Sequence, residues 1–201
     1  MRLSKRVPGL AWAAIFGLAL ATPLAIAWAA QHGEEKIVYG PNYGNDRAEI
    51  EDLMSRYLYA FDWQDGDAYA ATFTEDGILD FAGGVEQGHA ELKKVMDDMA
   101  VREKAKADAS FPYHRQRVRH YVTNLVLEID GDTARSTSYW WEFNNDARAG
   151  RPYLGTYGHY EDELKKVDGR WLFARRKIYN EENPNMRATD ANPVYRPRRE
   201  S

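Results

Sequence analysis

The chain contains no cysteine. That absence excludes a disulfide framework, a thiol nucleophile, a cysteine-ligated zinc and an iron–sulfur cluster, and it leaves the redox compartment open. Four motifs are also missing: a G-x-S-x-G elbow, a phosphate-binding glycine loop, G-x-G-x-x-G and H-E-x-x-H. A covalent serine mechanism and a nucleotide cofactor therefore find no support. Histidine is scarce, five in 201 residues, and none is paired at a ligand spacing, so no metal is expected. Positive charge is in deficit, with a formal balance of −4. Nucleic acid is accordingly not an expected partner.

What is abundant is aromatic: thirteen Tyr, six Trp and seven Phe. They either fill core and surface, or line a pocket that grips a flat, partly polar ligand. A hydrophobic content of 44% beside 29% charged residues is ordinary for a soluble domain, and the length suits one core with appendages. The first 29 residues stand apart, with Arg2, Lys5 and Arg6, then an apolar run from Leu10 to Ala27, then small residues at Ala27 and Ala29. This is the pattern of a secretory signal peptide and implies a periplasmic or secreted protein. An uncleaved inner-membrane anchor is the alternative, because about 20 apolar residues span a bilayer. Cleavage removes three basic and no acidic residues, which takes the balance from −4 to −7.

Residues 30–45 are polar with scattered Gly, Pro and Asn and read as a linker, 46–182 as the folded domain, and 183–201, with three prolines and no periodicity, as an extended tail. Asp46 with Glu49 reads as a capping box. Ile50, Leu53, Met54, Tyr57, Leu58 and Phe61 then recur at the spacing of one helical face. A short helix over Asp67–Phe73, a strand over Ile78–Phe81 and a third helix over His89–Met99 follow, while Val101–Gln116 reads as a loop or helical extension. Beyond it, Val118–Ile129, Arg135–Phe143, Gly155–Val167 and Arg170–Tyr179 are rich in β-branched and aromatic residues. Turn signals at Gly131-Asp132 and Asp168-Gly169 separate them. The expected class is α+β, three helices packed on a curved, mostly antiparallel sheet. Tyr139 and Trp141 alternate with Trp140, so both sheet faces carry aromatics, and a homo-oligomer, dimer or trimer, is expected to cover the outer one.

His32 lies in the linker and His89 opens a helix, leaving His114, His120 and His159 as chemical candidates. Strand alternation sets His120, Val122 and Asn124 on one face. Asp62 sits at the edge of the first helix's apolar stripe, four residues after Leu58. There it either turns to water or needs a partner such as an imidazole to offset its desolvation.

Three blocks carry a family resemblance: Ala48-x-Ile50-x-Asp52-Leu53-x-Ser55-x-x-Leu58-x-Ala60-x-Asp62, then His120-Tyr121-x-Thr123-Asn124-Leu125-x-Leu127-Glu128, then Asp168-Gly169-x-Trp171-x-Phe173-x-x-Arg176. Over about residues 46–180 the chain resembles the SnoaL-like domain of the nuclear-transport-factor-2-like superfamily, whose fold is a cone-shaped α+β barrel. Functional parallels are hexachlorocyclohexane dehydrochlorinase and scytalone dehydratase. The resemblance implies a catalytic pair, Asp62 and His120, and a pocket arginine, Arg176. It sets Tyr57 where the dehydrochlorinase has a lysine, and Phe61 and Phe81 where the dehydratase has tyrosines. Tyr57 or Tyr59 is then a candidate phenol, and Asn124 a further donor to developing negative charge. The implied chemistry is a cofactor-independent lyase acting by elimination or retro-aldol cleavage on a hydrophobic, aromatic small molecule, with the Asp–His pair as general base. The alternatives are an isomerase or cyclase of a polycyclic substrate and a noncatalytic binding protein.

Overall fold

The structure is a computed structural model that describes residues 39–110, 118–145 and 151–194, with side chains of 106–110 left out. The expected signal segment, most of the expected linker, His32, His114 and the last residues of the expected tail lie outside the described residues. The elements belong to one compact unit, Pro41–Ser201. In chain order they are α1 (Tyr43–Trp63), α2 (Gly66–Ala70), β1 (Phe73–Phe81), β2 (Gly84–Gln87), α3 (His89–Ser110), β3 (Arg119–Asp130), β4 (Thr133–Asn144), β5 (Tyr153–Val167) and β6 (Arg170–Asn180). Among the described residues no helix is long and apolar enough to cross a membrane.

The six strands form one sheet in the order β2-β1-β6-β5-β4-β3. Every neighbouring pair is antiparallel except β1 with β6, where the chain returns to the first strand after the β3–β6 meander. Burial alternates along β4, with Ala134, Ser136, Ser138 and Trp140 buried. These residues define the inner face, on which the apolar stripe of α1 (Ile50, Leu53, Met54, Tyr57) and Leu92 and Met96 of α3 join Leu164, Trp171 and Phe173 in one core. Three helices on a mostly antiparallel sheet is the expected α+β arrangement.

Several local expectations need correction. The first helix starts at Tyr43, inside the expected linker, and its N-cap Asn42 makes no side-chain bond. Asp46 is not a cap. It is buried in the first turn, where it accepts hydrogen bonds from Lys166 Nζ (2.7 Å) and Trp171 Nε1 (2.9 Å), so it ties α1 to the β5–β6 hairpin. Phe73 belongs to a strand that starts five residues before Ile78, α3 runs on to Ser110, and β2 carries too short and polar a sequence (Gly84–Gln87) to register as a strand.

The alternation of β3 also breaks. Between Thr123 and Val126 the register with β4 slips by one residue, and Asn124 adopts φ +55°. Asn124 and Leu125 together face Ser138, a β-bulge whose first residue is left-handed. Asparagine tolerates that conformation better than other non-glycine residues, because its short polar side chain bonds locally; here its Oδ1 accepts from the Thr123 hydroxyl at 3.1 Å. Asn124 is therefore exposed rather than on the face of His120 and Val122, and below the bulge the inward positions become Leu125, Leu127 and Ile129.

Candidate active site

The end of α1 sets the first functional group. Gln64 takes a left-handed conformation (φ 56°), and the Asp65 amide bonds back to the Ala60 carbonyl at 2.9 Å, which closes the helix in a Schellman-like turn. Asp62 is thereby fixed one residue before the helix ends, beside the start of β3. Its carboxylate accepts the backbone N–H of His120 (3.1 and 3.3 Å) and the ring Nδ1–H of His120 at 2.7 Å. The histidine side chain is 9% exposed and the aspartate 5%, so the pair is nearly dry.

A third group, absent from the sequence reading, completes the arrangement. Across the β3–β4 ladder His120 faces Glu142, and Glu142 Oε2 lies 3.0 Å from the ring Nε2. Glu142 Oε1 in turn accepts hydrogen bonds from Asn144 Nδ2 (3.0 Å) and the Thr156 amide (3.3 Å). A carboxylate oxygen this close to each ring nitrogen requires a proton on both, since two lone pairs would otherwise face one another. Burial works against the imidazolium, but hydrogen bonds to Asp62 and Glu142 outweigh it and raise His120 above its usual 6.5. Burial likewise opposes the Glu142 carboxylate; the bonds from His120 and Asn144, the imidazolium charge and the Thr156 amide prevail and hold it down at about 2. The resting site is a carboxylate–imidazolium–carboxylate row.

Beside this row lies a cavity of about 190 Å³. His120 and Glu142 reach it, together with Tyr57 and Phe61 of α1, Phe81 of β1 and Tyr160 of β5. Phe61 packs its ring edge-on to the imidazole at 4.7 Å. Trp140 stacks on Tyr160 (5.8 Å) and donates its indole N–H to the Tyr179 carbonyl at 3.0 Å. A Cβ at Gly158, cross-strand from Trp140, would collide with that same carbonyl, so the wall depends on glycine there. Asp62 stands behind His120 and does not line the cavity itself. The Tyr57 hydroxyl accepts from Tyr69 at 3.0 Å. Burial raises Tyr57 despite the cation of Arg176 nearby, which keeps the phenol protonated near neutrality.

Three expected residues fall elsewhere. Tyr59, two positions from Tyr57, points away on the helix; it is 66% exposed and stacks on Trp63. Asn124 is the bulge residue already described. Arg176 is wholly buried but lies beneath the cavity: it forks onto Asp162 through Nε and Nη2, both at 2.8 Å, and stacks against Tyr57, Tyr160 and Phe173 at 4.0–4.2 Å. Burial opposes its charge and Asp162 overrides that, so it stays cationic. Its role is to support the tyrosines that form the floor. His159 faces the outer side, stacked on Tyr179 at 4.4 Å, and His89 bonds the Phe73 carbonyl at 3.0 Å.

Glu142 escapes a reading of sequence for a definite reason. Counting back from the Asp130–Thr133 pair would set His120 opposite Phe143; the bulge at Asn124 shifts the register so that Glu142 takes that place. Among the described residues no group of three or more His, Cys, Asp or Glu is disposed to hold a metal ion. The two carboxylates lie on opposite edges of the imidazole rather than converging on one point.

Residues 43–177 match the SnoaL-like domain family. The uncharacterized protein Rv2910c of Mycobacterium tuberculosis is 26% identical over 138 residues, which cover 66% of this chain and 83% of that protein. A solved structure of a variant of Rv3472, a Mycobacterium tuberculosis protein of unknown function, superposes with a TM-score of 0.61 at 30% identity, covering 78% of this chain and 85% of the other. An NTF2-like protein with a cystatin-like fold from Novosphingobium aromaticivorans shares the fold, with a TM-score of 0.56 at 20% identity over 85% of this chain and 96% of its own.

Proposed function

This chain belongs to the SnoaL-like domain family, which includes polyketide cyclases and dehydratases, and we propose that within it the protein is a cofactor-independent lyase. The observation that carries the reading is the nearly dry Asp62–His120 pair at 2.7 Å, facing an aromatic cavity through the imidazole edge. The resemblance implies His120 as the general base, but a ring with a proton on both nitrogens cannot accept one. His120 therefore acts first as the acid toward the leaving group, while Asp62 fixes the ring and stabilises its charged form; such help is worth about 10²- to 10⁴-fold in rate. The substrate leaves its group by elimination, or splits a carbon–carbon bond in the retro-aldol sense.

Size favours a small substrate. A cavity of about 150 Å³ takes a benzene molecule, so 190 Å³ holds one substituted ring with a short chain. A polycyclic substrate, as an isomerase or cyclase would require, would have to extend out of this space through its open side. Export to the periplasm or beyond, directed by the first 29 residues, accords with a substrate met outside the cell. A second copy of the chain is proposed to cover the outer sheet face, where Tyr121, Tyr139, Phe143 and Tyr157 are each about half exposed.

The test is product formation without added cofactor from single-ring alcohols, hydroxy ketones and halides, set against larger diaryl and polycyclic compounds. Turnover confined to polycyclic compounds would exclude the elimination of a small aromatic substrate; turnover of one-ring compounds that is lost in His120→Ala would establish it.

A further inference from the structure

We propose that Glu142 is a catalytic residue: with His120 it forms a donor–acceptor pair that receives a hydroxyl on the substrate, and it takes the carbon-bound proton when that hydroxyl leaves. The recognition step stands on geometry alone, whereas the elimination step rests on the lyase reading above.

Glu142 Oε2 and His120 Nε2 are 3.0 Å apart and both line the cavity, so a ligand approaching one meets the other. Among the described residues, the remaining bonds of Glu142, from Asn144 and the Thr156 amide, go to Oε1. Oε2 therefore has the ring N–H as its hydrogen-bond partner and is released if that N–H turns to a ligand. The charged groups among the described residues that face the imidazole are Asp62 from α1 and Glu142 from β4, while Phe61 and Trp140 supply uncharged rings. A group inserted between Nε2–H and Oε2 must accept from the first and donate to the second. A hydroxyl does both, whereas a halide accepts only weakly and donates nothing, leaving the carboxylate without a partner. Sites built to bond a hydroxyl reject analogues that lack it for this reason.

The same pair balances a dehydration. The C–O bond breaks as the Nε2 proton moves to the departing oxygen, which leaves as water. The adjacent C–H pair becomes the double bond, and its proton passes to Glu142. At that moment the imidazolium charge that holds Glu142 down has gone, so the carboxylate becomes a stronger base as it is needed. Return of the proton from Glu142 to Nε2 restores the starting state.

The experiment uses the full chain, labelled with ¹⁵N at histidine, and two probes with one skeleton: 4-hydroxy-4-phenylbutan-2-one and 4-chloro-4-phenylbutan-2-one, both of which eliminate to the same conjugated enone. Without ligand, Glu142→Gln should weaken the affinity of the His120 ring for its proton by about tenfold. With probes, the wild type should bind the hydroxy ketone about tenfold more tightly than the chloride, and Glu142→Gln should bring the two close to parity. Glu142→Asp, which keeps the charge but withdraws it, should fall between. An unchanged His120 titration, equal binding of the two probes, binding of neither, or a preference that survives Glu142→Gln and Glu142→Asp alike would each overturn the assignment. Enone formation is scored separately by absorbance. Hydroxyl-selective binding with no enone would retain the Glu142–His120 hydroxyl site while removing the proton transfer to Glu142, and the absence of benzaldehyde as well would remove the lyase reading.

Discussion

Arg176 offers the sharpest test of what is frame and what is site. Replacing Asp162 by Leu leaves a guanidinium with no exposure and no counter-ion, and removes the bonds from Arg176 Nε and Nη2 (2.8 Å each) and from the Ser136 hydroxyl (3.0 Å). Breaking a buried pair from one side costs about 3–5 kcal/mol. The three ring faces at 4.0–4.2 Å still hold the cation, and desolvated contacts of that kind are worth up to about 2 kcal/mol each, so the lower end is expected. At roughly 2–4 °C per kcal/mol for a domain of this size, a loss of about 3 kcal/mol lowers Tm by about 6–12 °C. Adding Arg176→Met removes the orphaned charge and fills the space between the rings, and apolar replacement of a whole buried pair is commonly neutral or better. The double variant should therefore regain most of the lost Tm in thermal unfolding followed by near-ultraviolet circular dichroism. A double variant no more stable than Asp162→Leu would refute this reasoning. A stable double variant that no longer binds ligand would show that Arg176 touches substrate after all, rather than lying beneath Tyr57 and Tyr160.

Four further outcomes are expected. His120→Ala should abolish turnover and Asp62→Asn should reduce it by a large but smaller factor, about 10²- to 10⁴-fold; the double variant should lose little more, because the aspartate acts through the ring, and additive losses in steady-state kinetics would separate the two. Stability should depend on pH through the same row. His120 is raised in the folded state, so its contribution is complete below 6.5 and fades as pH climbs through the higher folded value; Glu142 is depressed, so its contribution is complete above 4.5 and disappears as pH falls toward about 2. Urea unfolding across this range should show both limbs in the wild type and a weakened alkaline limb in Glu142→Gln. Asn124→Gly should leave stability and turnover nearly unchanged, while Asn124→Val, forced into φ +55°, should cost about 1–2 kcal/mol in denaturant midpoint measurements. Light scattering at micromolar concentration should find an oligomer, and Tyr139→Asp on the outer face should shift it toward monomer.

The elements legible in the sequence are those with a strong period. The stripe from Ile50 to Phe61 and the runs of β5 and β6 announce themselves because burial on one side imposes spacing. Asp62 and His120 were visible as candidates, one at the edge of a helical stripe and the other on a strand, but their pairing came from the family resemblance rather than from the spacing. What stayed hidden depends on relations between strands. Glu142 follows from a pairing register that one bulge resets, and Arg176 follows from which residues pack above it. Tyr59 and Tyr57 have the same chemistry and differ only in where a helix turns them; the i, i+3, i+4 stripe already favoured Tyr57.

The bulge at Asn124 divides β3 into two halves that run out of phase. The half from Leu125 to Ile129 serves the packed interior, and the other half carries His120 to the cavity. Substitutions in one half leave the orientation of the other untouched, so the interior can drift in sequence while the reactive edge is conserved, and the reverse. Changes in register are another matter. Taking Asn124 into the regular ladder without loss of a residue would turn the imidazole toward the outer face and set Phe143 opposite it, whereas deleting Asn124 would leave His120 opposite Glu142. The active register therefore depends on one surplus residue staying outside the ladder, and a relative that lacks the bulge should keep the same pairing only if it is one residue shorter at Asn124 or Leu125.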